Sequence, residues 1–138
     1  MNGQAEFSKL NHCVYALHYH LVVVTKYRRK CLTGPMLARL RDLAATRCQE
    51  WGGRLDEMNG EADHVHLLVS LPPNLDLSGF VNALKTNTSR LLRKEFADEL
   101  GRVYRKPVLW SRSYCIVSCG GAPLALIRRY IEGQASPE

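Results

Sequence analysis

Two hydrophobic periods alternate along this chain, and together they predict its elements. Residues 14–25 are rich in Val, Leu and Tyr and read as one long strand. His18, His20, Val22 and Val24 share one face of it, and Leu17, Tyr19, Leu21 and Val23 share the other. Both faces look largely covered, as in a central strand or one joined to a partner's sheet. Gly34-Pro35 then starts a helix, and Met36, Leu37, Leu40, Leu43, Ala44, Cys48 and Trp51 form its apolar stripe. Gly52-Gly53 ends it. Residues 54–59 predict a short polar strand and 64–71 a strongly apolar one, and the turn between them makes a hairpin. After Pro72-Pro73-Asn74, Asp76 or Ser78 can cap a second helix, striped by Leu77, Phe80, Val81, Leu84, Leu91, Leu92 and Phe96. Residues 97–109 read as a linker, and 110–119 contain another strand. Gly120-Gly121 is a joint before a last helix at 122–135, with Leu124, Ile127 and Ile131 as its stripe. Leu126, Tyr130 and Gln134 follow at steps of four on an adjacent face. Residues 1–12 read as a loose lead-in.

The order is strand, helix, strand, strand, helix, strand, helix. Two strand–helix–strand units with a hairpin between them predict an α+β, ferredoxin-like (RRM-like) domain spanning 1–138. Its antiparallel sheet carries two helices on one face. The opposite face is left for a ligand, a second sheet, or a mobile C-terminal helix.

Charge changes the picture next. The formal net charge is +6, which favours an anionic partner such as nucleic acid. Four of the five residues Lys26-Tyr27-Arg28-Arg29-Lys30 are cationic, placed at a strand end with one aromatic among them. Such a turn can contact phosphates, with Tyr27 available to a base, or can simply be solvated. Lys85, Arg90, Arg93 and Lys94 lie on the polar side of the second helix. No stretch is long and apolar enough for a membrane span, and no signal peptide is evident. The five cysteines are not paired as in a zinc site, so reduced thiols in a cytoplasmic protein are expected.

The candidate chemistry starts at Asp63-His64-Val65-His66. On a strand, His64, His66, Leu68 and Ser70 share one face, while Val65, Leu67, Val69 and Leu71 form the core face. Two imidazoles therefore project together from the face that packing does not need. They suit a metal ion, or they are packed histidines. Further ligands could come from His18, His20, Glu61, Asp63 or the final helix. Asp63 fits a supporting role behind a ligand. Gln134 on the final helix is one such donor, and Tyr130 lies one turn before it. Tyr130 is either an edge-of-core residue or a nucleophile toward a phosphodiester.

Taken together, these residues resemble the small single-tyrosine transposases of the HUH superfamily, in the insertion-sequence two-hundred/six-hundred-and-five group. The resemblance runs from about Tyr15 to Gln134. It rests on His20-Leu21-Val22 leading to Thr25-Lys26-Tyr27-Arg28-Arg29-Lys30, on Asp63-His64-Val65-His66-Leu67-Leu68, and on Ala83-Leu84-Lys85 to Ser89-Arg90. Trp110 with Ser113-Tyr114, and Gly120-Gly121-Ala122-Pro123-Leu124 running to Tyr130-Ile131-Glu132-Gly133-Gln134, complete it. The resemblance implies that His64, His66 and Gln134 bind a divalent ion, Mg²⁺ or Mn²⁺, and that Tyr130 is the nucleophile. It implies cleavage of single-stranded DNA beside hairpins at element ends, through a 5′-phosphotyrosine. It implies a homodimer in which the final helix can complete the partner's site, swinging on Gly120 and Gly121. Lys26 to Lys30, Lys85, Ser89 and Arg90 become candidate DNA contacts. A bacterial or archaeal cytoplasmic protein, nucleoid-associated on DNA, is expected. The alternatives are a related nuclease acting on chromosomal palindromic repeats, a non-catalytic nucleic-acid-binding module, and a zinc hydrolase.

Overall fold

The computed structural model describes residues 8–10, 13–15, 17–118 and 124–134. The elements are β1 (Ser8–Leu10), β2 (Cys13–Tyr15), β3 (His18–Val24), a single 3₁₀ turn (Lys26–Arg28), α1 (Gly34–Glu50), β4 (Arg54–Gly60), β5 (His64–Ser70), α2 (Leu77–Glu95), α3 (Ala97–Gly101), β6 (Cys115–Ser118) and α4 (Leu124–Gly133). The main sheet has the order β4-β5-β3-β6, and every neighbouring pair is antiparallel. This is the ferredoxin-like α+β plan that the hydrophobic periods predict.

Alternation along β3 and β5 sends Leu21, Val23, Val65, Leu67 and Val69 to one face. There they are buried with Met36, Leu40 and Ala44 of α1 and Phe80, Val81 and Leu84 of α2. Thr33 caps α1 by accepting from the Met36 amide at 3.4 Å, and Asp76 caps α2 by accepting from Gly79 at 3.1 Å. The opposite face carries a smaller cluster, in which Tyr130 and Ile131 of α4 pack against Val22 and Val24. The last helix therefore lies across the sheet from the other two.

The structure differs from the sequence pattern in four places. The strand expected at 14–25 is split into β2 and β3, and β2 pairs with β1 in a separate two-stranded sheet. Ser8–Leu10, within the expected lead-in, is thus a strand. The expected linker at 97–109 begins with the short helix α3, whose Leu100 is buried. The expected strand at 110–119 is regular only over Cys115–Ser118, while Trp110 makes an isolated bridge to Thr25. There the Trp110 indole N–H donates to Thr88 Oγ1 at 3.0 Å, a side-chain bond that a hydrophobic pattern does not encode. In addition, β3 is flanked by β5 and β6, so an extension of this sheet by a partner would have to use β4 or β6. Gly120 and Gly121 lie outside the described residues. Among the described residues, no helix is long and apolar enough to cross a membrane.

At one end of the α4 side of the sheet, Asp56 ties β4 to β5 and β3. Its carboxylate accepts from Arg54 Nε at 2.7 Å and from Ser70 Oγ, and Ser70 Oγ also bonds His18 Nδ1 at 2.8 Å. Burial alone raises the Asp56 carboxyl, but the hydrogen bonds from Ser70, Arg54 and His18 outweigh it and hold it below the usual range. A depressed carboxylate stabilises the fold above its unfolded-chain pKa, and that contribution is lost as pH falls through the folded value. Asp56→Asn is therefore expected to cost about 1–3 kcal/mol at neutral pH in urea unfolding. The gap to wild type should close as pH falls below the ordinary carboxyl value of 3.8. A gap independent of pH would show that charge at Asp56 is irrelevant.

Candidate functional site

The antiparallel register of β3 and β5 sets His64 opposite Val24 and His66 opposite Val22. Directly opposed side chains stand about 4.5–5.5 Å apart at Cβ. Both imidazoles therefore flank the valines against which Tyr130 packs.

Each histidine has one ring nitrogen committed. His64 Nδ1 lies 2.8 Å from Asp63 Oδ1, and the other oxygen of Asp63 accepts from Arg28 Nε at 2.9 Å. Asp63 precedes the regular strand, so its side chain can turn back toward His64 instead of alternating away from it. Burial alone raises its carboxyl, but the hydrogen bonds from His64 and Arg28 win and hold it below the usual range. His66 Nε2 lies 2.8 Å from His20 Nδ1, and the two ring centroids are 4.9 Å apart. Burial, assisted by the His20 charge, pushes the His66 pKa down, which favours the neutral ring.

Arg28 reaches Asp63 from an unusual turn. Tyr27 and Arg28 both have left-handed backbone, with φ of 58° and 55°. Such residues cost on the order of 1–3 kcal/mol each unless their surroundings hold them. Here Thr25 Oγ1 donates to the Arg29 carbonyl at 2.6 Å, and Tyr104 Oη donates to the Lys26 carbonyl at 2.7 Å. The Lys26 amide donates to the Leu109 carbonyl at 2.8 Å. The result is one inward cation, Arg28, and one outward aromatic ring, Tyr27, which is 46% exposed.

The other half of the candidate site hangs on the loop before β6. The Ser111 amide donates to the Val24 carbonyl at 2.7 Å, so this loop flanks Val24 on the side away from His64. Tyr130 Oη and Ser113 Oγ are 2.9 Å apart. Gln134 Oε1 accepts from Ser111 Oγ at 2.8 Å and Ser113 Oγ at 3.1 Å. Lys85 fastens the loop from α2, donating to the carbonyls of Ser111, Arg112 and Ser113 at 2.7, 3.0 and 3.3 Å.

The structure thus joins His64 to Asp63, and Tyr130 and Gln134 to the two serines, with both halves on one sheet face. No hydrogen bond joins Gln134 to His64 or His66 among the described residues. Of the candidate DNA contacts, Arg29, Lys30 and Arg90 are exposed, Lys26 is half-buried, and Ser89 Oγ accepts from Arg93 Nε at 3.1 Å. Arg28 and Lys85 hold the site together. Sequence reading missed the roles of Ser111 and Ser113. The Ser-x-Ser spacing beside Trp110 was the one available signal.

The donor set fits a divalent ion at the histidine pair. A neutral His66, and a His64 whose Nδ1 is fixed on a carboxylate, are prepared as imidazole ligands usually are. Among the described residues, no three His, Cys, Asp or Glu side chains converge.

Comparison with known proteins bears on the family and the fold. A family model described as Transposase IS200 like matches residues 13–134. The ISDra2 transposase TnpA of Deinococcus radiodurans is 33% identical over 133 residues, covering 96% of this chain and 94% of that protein. The transposase for insertion sequence element IS200 of Salmonella typhimurium is 33% identical over 125 residues, covering 91% and 81%. The crystal structure of a candidate transposase from Deinococcus radiodurans R1 superposes with a TM-score of 0.85 at 32% identity, over 94% of this chain and 98% of that one. A REP-associated tyrosine transposase bound to a REP hairpin superposes with a TM-score of 0.54 at 13% identity, over 94% and 69%, and shares the fold.

Proposed function

The chain belongs to the IS200-like transposases, and from that premise we propose that it cuts and rejoins single-stranded DNA at element ends with Tyr130 as nucleophile. The observation that carries this reading is the packing of Tyr130 against Val22 and Val24, the residues that face His66 and His64 across the strand pair.

In the proposed reaction the Tyr130 oxygen attacks the phosphorus, losing its proton, and the bond to the 3′ oxygen breaks. That oxygen takes up a proton and leaves as a 3′-OH, while the 5′ side stays on Tyr130 as a phosphotyrosine. Attack of a 3′-OH on this ester reverses the step, so the DNA is rejoined without hydrolysis. Ser113 orients the phenol, and the Asp63–Arg28 pair fixes the His64 ring. His64, His66 and Gln134 would hold Mg²⁺ or Mn²⁺, which supplies Lewis acidity toward a phosphate oxygen. Seating Gln134 there requires exchange of its Ser111 and Ser113 bonds. The chain acts as a homodimer in this reading, α4 serving its own site or the partner's. Hairpins at the element ends provide recognition.

Incubation with hairpin-bearing single-stranded DNA and Mn²⁺ is expected to give a covalent adduct on a denaturing gel, and the matching duplex none. Equal reaction of the duplex would overturn the single-strand reading. A hairpin-binding protein that formed no adduct with any end sequence would instead be a binding module.

A further inference from the structure

The strained turn and the segment after α3 enclose a cleft of about 450 Å³. This lies within the roughly 300–1,000 Å³ range of ligand clefts. One wall carries Lys26, Tyr27 and Arg29, and the other carries Arg105, Lys106 and Arg112, with no acidic side chain among the described residues of the lining. Arg29, Arg105, Lys106 and Arg112 are exposed. Tyr27 is the exposed large hydrophobic side chain among the described residues, and Lys26 Nζ lies 5.4 Å from its ring centroid.

We propose that this cleft binds single-stranded DNA, with one unpaired base stacked on Tyr27 and the flanking phosphates held by Arg29, Arg105, Lys106 and Arg112. The inference rests on the DNA-cleavage reading and adds a second contact surface for the strand, on the segment that leads to Ser111 and Ser113. An aromatic ring among cations is the combination that single-strand binding uses, because every base has a π-face and every nucleotide carries a phosphate. The backbone cost at Tyr27 and Arg28 is unusual for a plain surface turn, and what it produces is an outward ring. The cleft and the catalytic face share one segment of chain. Arg112 sits between the serines bonded to Tyr130 and Gln134. Thr25, bridged to Trp110, directly follows Val24 opposite His64.

The test is binding of a labelled oligothymidine in EDTA, with no cleavage required. Failure of this inference is thereby separated from failure of the cleavage reading. Asn tolerates left-handed backbone, so Tyr27→Asn keeps the turn and removes the ring. It is expected to weaken binding about 5- to 100-fold, while Tyr27→Phe stays near wild type. Arg105→Ala with Lys106→Ala should lower the slope of log K against log salt by about 0.7 for each phosphate no longer neutralised. Duplex DNA of equal length should bind alike with or without the Tyr27 ring. Wild-type affinity in Tyr27→Asn, an equal loss on duplex, or tighter binding of the matching oligouridine would each overturn the proposal.

Discussion

Tyr130→Phe is expected to abolish the covalent adduct while leaving the protein folded and able to bind hairpin DNA. The substitution removes one oxygen. The ring that packs against Val22 and Val24 stays, so the apolar contact holding α4 on the sheet is kept. The bond between Tyr130 Oη and Ser113 Oγ disappears, while Gln134 still accepts from both serines. Removing the nucleophile from a site that acts as a unit costs on the order of 10³–10⁶ in rate, so the adduct should fall below detection on a denaturing gel. Hairpin affinity should change by no more than a factor of about five, since the missing hydrogen bond is solvent-exposed and such bonds are worth about 1 kcal/mol or less. An adduct that persists in Tyr130→Phe would move the nucleophile to another phenol. Tyr114 is the first candidate because the Lys85 ammonium lies 5.6 Å from its ring. Disappearance of the adduct together with hairpin binding would make Tyr130 a structural residue of α4.

Much of this site was legible in the sequence, and the reason is periodicity. Alternation alone places His64 and His66 on the face opposite Val65 and Leu67, and the structure buries those two apolar residues to within 2% of full enclosure. A step of four places Tyr130 and Gln134 on one side of a helix, and both reach Ser113. What periodicity does not carry is contact between segments distant in sequence. Lys85 read as part of a basic helix face, yet its ammonium is spent on three carbonyls 26 to 28 residues away. Arg28 read as one of a run of phosphate contacts, yet it is paired with Asp63, 35 residues on. Segment 97–109 read as a linker because its apolar residues have no period. Beyond the short helix α3, its order comes from single long-range bonds, such as Tyr104 to the Lys26 carbonyl and, just past its end, Trp110 to Thr88. The split of the first strand is hidden for a related reason. Residues 14–25 are uniformly strand-like, and only the pairing partners distinguish β2 from β3.

His64→Ala and His66→Ala are each expected to eliminate cleavage while sparing DNA binding, and the two should differ in what else they disturb. His64 is tied to a carboxylate that Arg28 also holds, so its removal leaves Asp63 paired and the turn intact. His66 shares a nitrogen contact with His20, so its removal leaves that ring without its partner on the sheet face. His66→Ala should therefore cost more stability than His64→Ala, by about the 1 kcal/mol of one hydrogen bond. Both should lose adduct formation as completely as wild type in excess chelator, and added Mn²⁺ should restore neither. Asp63→Asn separates support from ligation. Replacing a residue that orients a metal-binding histidine typically costs 10- to 100-fold in metal affinity or activity. This variant should accordingly recover much of its cleavage when Mn²⁺ is raised about 100-fold, which the histidine variants should not. The measurement is adduct yield against Mn²⁺ concentration, beside hairpin binding in EDTA. A fall in binding that keeps step with cleavage in both histidine variants would mean that the pair only packs the sheet face. Full cleavage in wild type under chelator would mean that Tyr130 and its serines act without a metal.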